Sequence, residues 1–391
     1  MSKKKFFFAV KYYSFYRICL GMIFIAVLFI IFASCDDLEN IYVPPLQPLP
    51  ENAAIFLSID GTKGGLRIYN ANSFQLMDSL ITTPAAPWNV EFSPENDRLY
   101  SIWHGSPSYI HDLYEIGLKP LRINRYIRLF PGYYALTMNS NNNLLIAFGS
   151  KGIQVYDRTS MSFLTQDTIS IGETNTGIAA ANIYNIVYYP MYDINNNLIG
   201  FGIFDLDLFK TVDSIVVFKN LSYSGLANSD ILISKDDKYL FCTAWNWRGL
   251  GGYGSFFVID LLKKTIIKEF EVGAFSKLAM SPDGNSIYIS DPGGYLYGFA
   301  STGKVWKYDV KMNSNSVLIN DLYYSDKIAV AKDNRTLFIT PVVSFQMKDG
   351  NKACVVKVDA LNGKIVDYLT VTYDSANYFS NLPRNIKVGE Y

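Results

Sequence analysis

The chain has 391 residues, with 35 basic and 35 acidic side chains and 49% hydrophobic residues. That length and apolar content support a sizeable core and exclude a disordered chain. Zero net charge without a basic stripe excludes nucleic acid as a partner, and two histidines and four cysteines leave little material for a metal cage or a disulfide framework.

Residues 1–34 read as a processed leader. Lys3, Lys4, Lys5, Lys11 and Arg17 form a basic n-region, residues 18–32 form an apolar run, and Ala33-Ser34-Cys35 closes the pattern. The run is shorter than the ~20 residues of a membrane span. The pattern resembles a bacterial lipoprotein signal, with Phe32 in place of the usual Leu. The resemblance implies cleavage before Cys35, a lipid on its thiol, and attachment to a membrane through that lipid. Asp36, Asp37 and Glu39 follow at once and resemble the export signal of surface lipoproteins in the Bacteroidota, which implies the outer membrane and an outward-facing position. Residues 35–52 hold four prolines, so they read as an extended, semi-rigid tether.

From residue 53 to residue 391 the chain repeats itself. Residues 89–102 (NVEFSPENDRLYSI), 230–243 (DILISKDDKYLFCT), 277–290 (KLAMSPDGNSIYIS) and 327–340 (KIAVAKDNRTLFIT) share one phrase: an apolar strand, a polar turn and an alternating strand. The turn residues Ser93, Ser140, Ser234 and Ser281 are 47, 94 and 47 residues apart, and Ala331 follows 50 further on. The double interval leaves room for a degenerate copy near residue 187. This period fits a four-stranded propeller blade.

A second phrase, two alternating strands around a turn, occurs at 66–80, 113–127, 153–167, 202–215, 256–270, 295–309 and 355–369. These seven copies predict the outer C–D hairpins of seven blades, and the first phrase predicts the inner A–B hairpins. The segment 53–60 (AAIFLSID) lacks an A strand before it, and 381–391 (NLPRNIKVGEY) is predicted to supply one. The fold class is therefore all-β: a seven-bladed β-propeller closed by a C-terminal A strand, preceded by a signal peptide and a Pro-rich tether.

Catalytic motifs are sparse. There is no GxSxG elbow, no CxxC pair and no HExxH helix. GLGGYG (249–254) lacks the Lys-Ser/Thr of a phosphate loop. DINNN (193–197) and NSNNN (139–143) read as solvated A–B turns rather than calcium sites. No metal and no cofactor is expected. Cys19 leaves with the leader, while Cys242 and Cys354 read as two separate buried thiols.

The B–C connections carry the functional expectation. Those at 149–152 and 290–294 are short, whereas 103–112, 245–255 and 341–353 are long. Long loops on a rigid scaffold are where binding residues gather. These three hold Trp103, His104, Tyr109, His111, Trp245, Trp247, Arg248, Tyr253 and Phe345, and Trp, Tyr and Arg dominate binding hot spots. Aromatic faces also stack on sugars. His104 and His111 are the only histidines, and either could serve as a base.

The phrase SPDGNSIYISD (281–291) and its companions resemble the repeat of YVTN-type and related WD40-like propellers over residues 53–391, most closely in blades one, four, five and six. The resemblance implies a cell-surface propeller. Some relatives resemble lactonases, but no catalytic motif of theirs maps onto this chain. The leading expectation is a non-enzymatic surface lipoprotein that binds a glycan or an envelope protein. A lactonase-like hydrolase or glycan lyase, using a histidine with Arg248, and a purely structural assembly component are the alternatives.

Overall fold

Strands rich in Val, Ile, Tyr and Phe, broken by Asn, Asp, Gly and Ser, suit sheets stacked face to face. The computed structural model describes residues 43–59, 64–81, 85–105, 110–129, 132–139, 141, 143–168, 177–193, 197–218, 230–248, 251–292, 295–296, 299–300, 303–322, 325–341, 353–370 and 383–391. Within them are seven four-stranded antiparallel sheets and no helix.

The closing blade begins with β1 (Ala53–Ile59), β2 (Gly65–Asn70) and β3 (Leu76–Ile81). Blade one is β4 (Ala85–Phe92), β5 (Arg98–Gly105), β6 (Ile110–Leu118) and β7 (Leu121–Leu129). Blade two is β8 (Tyr133–Asn139), β9 (Leu144–Gly149), β10 (Gly152–Asp157) and β11 (Phe163–Asp167). Blade three is β12 (Ala179–Ala180), β13 (Ile186–Tyr192), β14 (Leu198–Asp205) and β15 (Lys210–Val216). Blade four is β16 (Ile231–Ile233), β17 (Tyr239–Arg248), β18 (Gly251–Asp260) and β19 (Thr265–Gly273). Blade five runs β20 (Lys277–Met280), β21 (Ser286–Asp291), a small hairpin of β22 (Tyr295–Leu296) and β23 (Phe299–Ala300), then β24 (Lys304–Asp309) and β25 (Ser314–Ile319). Blade six is β26 (Ser325–Val330), β27 (Thr336–Pro341), β28 (Ala353–Asp359) and β29 (Lys364–Thr370).

The last strand, β30 (Pro383–Glu390), pairs antiparallel with β1 from Ala53↔Glu390 to Ser58↔Asn385. The sheet order β3-β2-β1-β30 puts it innermost, as the sequence predicts. The innermost strands touch in ring order: β30 with β4, then β8, β12, β16, β20, β26 and back to β30. Seven blades and a closed ring follow directly.

Cores lie between neighbouring blades. Tyr100 and Leu113 of blade one pack with Tyr133 and Leu145 of blade two, and Phe241 and Phe256 of blade four pack with Ile289 and Tyr308 of blade five. Residues 46–391 form one compact unit holding every sheet and every described core cluster, so the ring is complete without the residues upstream. The predicted tether gives up its last residues to this unit. Leu49 is buried in the cluster between blade six and the closing blade. Its backbone N–H donates to Asn72 Oδ1 at 2.9 Å, and Asn72 Nδ2 donates back to its carbonyl at 2.8 Å.

The repeated phrase is turn chemistry. In Ser93, Ser234 and Ser281 the hydroxyl accepts from backbone N–H groups four or five residues on, at 2.9–3.3 Å. The fourth residue of each turn adopts a left-handed conformation: Asn96 (φ 56°), Asp237 (φ 53°), Gly284 (φ 76°) and Asn334 (φ 59°). Asn, Asp and Gly tolerate that region, which explains the recurring letters.

Two expectations need correction. The hairpin predicted at 295–309 is displaced: the C–D hairpin of blade five is β24–β25, and the B–C connection spans 292–303 rather than 290–294. DINNN (193–197) is the B–C connection of blade three, not its A–B turn, which is 181–185. The alternating run 186–205 was long enough to hide which of its two ends turns inward. Cys242 is free and buried, and burial pushes its thiol well above the ordinary value. The side chain of Cys354 lies outside the described residues.

Candidate functional site

Blade one holds the predicted loop 103–112, and most of it is strand. Trp103↔Asp112 and His104↔His111 are backbone pairs of β5 and β6. Residues 106–109, including Tyr109, lie outside the described residues, as does the side chain of His104. Trp103 is 3% exposed and stacks on Tyr114, ring centroids 4.0 Å apart at 26°. Tyr114 stacks in turn on Tyr126 at 5.6 Å and 25°, and Tyr126 is 59% exposed. Three rings thus climb from core to surface across β5, β6 and β7. The Tyr114 hydroxyl donates to Asp112 Oδ2 at 3.2 Å, and Asp112 faces Arg128 at 3.6 Å. Burial first, then Asp112, pushes the Tyr114 hydroxyl up to about 12. Among the described residues, no acceptor reaches Trp103 Nε1, so ring contact rather than hydrogen bonding holds the stack.

His111 is buried at 1% exposure, turned into the sheet rather than offered at the surface. A general base must reach its substrate proton within hydrogen-bond distance. The backbone does bring the two histidines together, but it places His111 where a surface substrate cannot reach it. Among the described residues there is no cluster of three or more metal-ligating side chains.

Blade four holds the second predicted loop, 245–255, and it too is a β-hairpin. Trp245↔Gly254, Asn246↔Tyr253, Trp247↔Gly252 and Arg248↔Gly251 are backbone pairs of β17 and β18. The inner neighbour β16 reaches only Cys242, and the outer neighbour β19 reaches only Tyr253. Among the described residues, the hairpin therefore runs beyond both flanking strands as a two-stranded arm. Trp suits a strand on propensity, and the side chains of Trp245, Trp247, Arg248 and Tyr253 lie outside the described residues. Phe345 and the rest of 342–352 lie outside the described residues.

The residues that sequence reasoning missed are Asp112, Tyr114 and Tyr126. Asp112 ends the segment that drew attention to Trp103, and the period-two alternation of β6 and β7 carries Tyr114 and Tyr126.

No protein-family model matches the chain, and no curated protein matches it in sequence. Solved structures do match. A functionally unknown protein from Desulfotomaculum acetoxidans is 13% identical with a TM-score of 0.61, over 87% of this chain and 99% of that one. Kuenenia stuttgartiensis hydrazine synthase is 14% identical with a TM-score of 0.55, over 78% and 95%. The β-propeller domain of Cps50 (Swd1) from Myceliophteria thermophila is 10% identical with a TM-score of 0.54, over 74% and 88%. The shared feature is the fold, a β-propeller, which in this chain has seven blades. At these identities the likeness speaks to architecture alone.

Proposed function

We propose that this chain is a lipid-anchored surface protein that binds a glycan or an envelope protein on the B–C end of its propeller, without catalysing a reaction. The observation that carries the reading is the β17–β18 arm, which extends past both neighbouring strands and holds Trp245, Trp247, Arg248 and Tyr253. A rigid ring carrying a Trp-rich ribbon suits recognition. Flat aromatic faces present large area at low entropic cost, which suits sugars. A propeller is consistent with a binding or scaffold role. The address rests on residues 1–34, Cys35 and the acidic residues after it: a lipid in the outer membrane, with the propeller outside.

The test is a glycan-array screen of residues 46–391. A saturable hit should weaken about tenfold or more in the Trp245→Ala, Trp247→Ala double variant, with its circular dichroism and melting unchanged. A folded double variant that binds fully would remove the arm as the site. A blank array with folded protein would direct the search to envelope proteins, captured by crosslinking in the native membrane.

A further inference from the structure

The outer strands of blade one gather aromatic and charged side chains on one face. Trp103 pairs with Asp112, and Asp112 with Arg128, while Tyr114 pairs with Tyr126. Directly opposed residues, and residues two apart along a strand, share a face of a sheet. This face is turned to the closing blade, where Trp103 packs with Leu66 and Ile68. Packing accounts for its inner part and not for its outer part. Tyr126 is 59% exposed although one side of its ring lies on Tyr114. The support beneath it is fixed, because Trp103 backs Tyr114 at 4.0 Å and the Tyr114 hydroxyl donates to Asp112 Oδ2. A flat ring is thus held at a set tilt with its other side towards solvent. The Arg128 side chain beside it is 68% exposed. Asp112 is buried, yet its Oδ1 accepts no hydrogen bond among the described residues, and Arg128 Nε stands 3.6 Å away, beyond hydrogen-bond reach. A buried carboxylate oxygen in that state lacks a donor.

We propose that this patch is a subsite for a neutral sugar: one pyranose ring stacks on the outer side of Tyr126, and a hydroxyl at its edge bridges Arg128 and Asp112. The chemistry of the patch selects the ligand. Stacking on Tyr126 calls for a flat apolar face. The bridge calls for a group that both accepts and donates. A hydroxyl does so, accepting from the guanidinium and donating to Asp112 Oδ1 as the exposed Arg128 side chain turns to meet it. A sugar ring joins a C–H face to a rim of such hydroxyls. A purely apolar partner would leave the carboxylate oxygen unmet. An anion would meet the charge of Asp112, which already balances Arg128. Tyr126, Arg128 and Asp112 touch the sugar, whereas Trp103 and Tyr114 hold the platform beneath it. The subsite shares a ligand class with the β17–β18 arm but uses none of its residues, so it stands if the arm fails.

Residues 46–391, the compact unit that holds every sheet, are titrated with the methyl glycosides of glucose, galactose and mannose and with N-acetylglucosamine, each followed by saturation-transfer NMR. The expected result is saturable binding of at least one of these sugars at millimolar concentration. Tyr126→Ala should weaken it about tenfold or more. Tyr126→Phe, which keeps the ring, should restore it, and Arg128→Ala should weaken it. Circular dichroism checks that each variant is folded. Both side chains are largely exposed, so their loss leaves the core in place. Four sugars that all fail to bind overturn the proposal. So does a folded Tyr126→Ala variant that binds like the parent. The Trp245→Ala, Trp247→Ala double variant is titrated alongside, and a sugar lost in that variant alone belongs to the arm, which overturns the subsite and keeps the arm.

Discussion

Trp103 lies against Tyr114 with ring centroids 4.0 Å apart, among Leu99, Ile116 and Leu118 between blade one and the closing blade. Its neighbour in sequence, position 104, pairs directly with His111, so the end of β5 is strand rather than loop. The alternation that buries Leu99 and Ser101 carries on to Trp103. Trp103→Ala should therefore cost about 3–5 kcal/mol of stability, the range for truncating a buried large aromatic. Tyr126, exposed at the other end of the stack, should cost only about 1 kcal/mol as Tyr126→Ala. Denaturant midpoints at unchanged m-values measure both. If the two variants lost equal stability, Trp103 would return to the set of residues available to a ligand.

At the scale of the element, the sequence revealed those strands whose turns repeat and obscured those whose turns do not. The Ser-x-x-Asn/Asp/Gly turn and the Asx-headed C–D turn are local chemistry, so their letters recur and six of the predicted C–D hairpins fall where the strands are. Blade three breaks the pattern because a residue elsewhere satisfies its A–B turn. Asp237, in the equivalent turn of blade four, accepts from the backbone N–H groups of Asn182 (2.8 Å) and Ile183 (2.6 Å) and from Asn182 Nδ2 (2.9 Å). A partner 55 residues away leaves no local signature in 181–185. The candidate site was legible in part for the same reason. Composition singled out the aromatics of 245–255, but alternating Trp and Gly across a hairpin can be told from a loop only once the pairing is seen. Asp237→Ala removes four bonds to a buried carboxylate, counting that from the Tyr184 N–H at 3.3 Å, and should cost about 2–4 kcal/mol. Asp237→Asn, which keeps one acceptor oxygen, should recover part of that. Thermal unfolding of both variants checks the claim, and an Asp237→Ala variant that melts like the parent would remove the cross-blade bonds as a source of stability.

At the scale of the molecule, stability depends on one non-local event. Every blade except the closing one is contiguous in sequence, so each can form its own hairpins early, whereas β30 must return across the whole chain to pair with β1. The clasp is more than a ladder. Tyr391 donates its hydroxyl to Asp78 at 2.5 Å, Lys387 reaches Glu91 of blade one at 3.1 Å, and Lys332 of blade six reaches Glu390 at 2.5 Å. The last nine residues thereby tie the closing blade to both neighbours. Ending the chain at residue 382 would bare the inner edge of β1 and the faces of β4 and β26 that β30 covers. An open edge of that length invites pairing with another chain. The truncated protein should keep much of its strand content by circular dichroism, lose a single sharp melting transition, and form concentration-dependent aggregates in sedimentation velocity. A synthetic peptide of residues 383–391 added in excess should restore the sharp transition, because it supplies the missing strand without the covalent link. A truncated chain that melts sharply and stays monomeric without the peptide would mean that six complete blades and a three-stranded seventh are stable, and that the ring does not depend on its clasp.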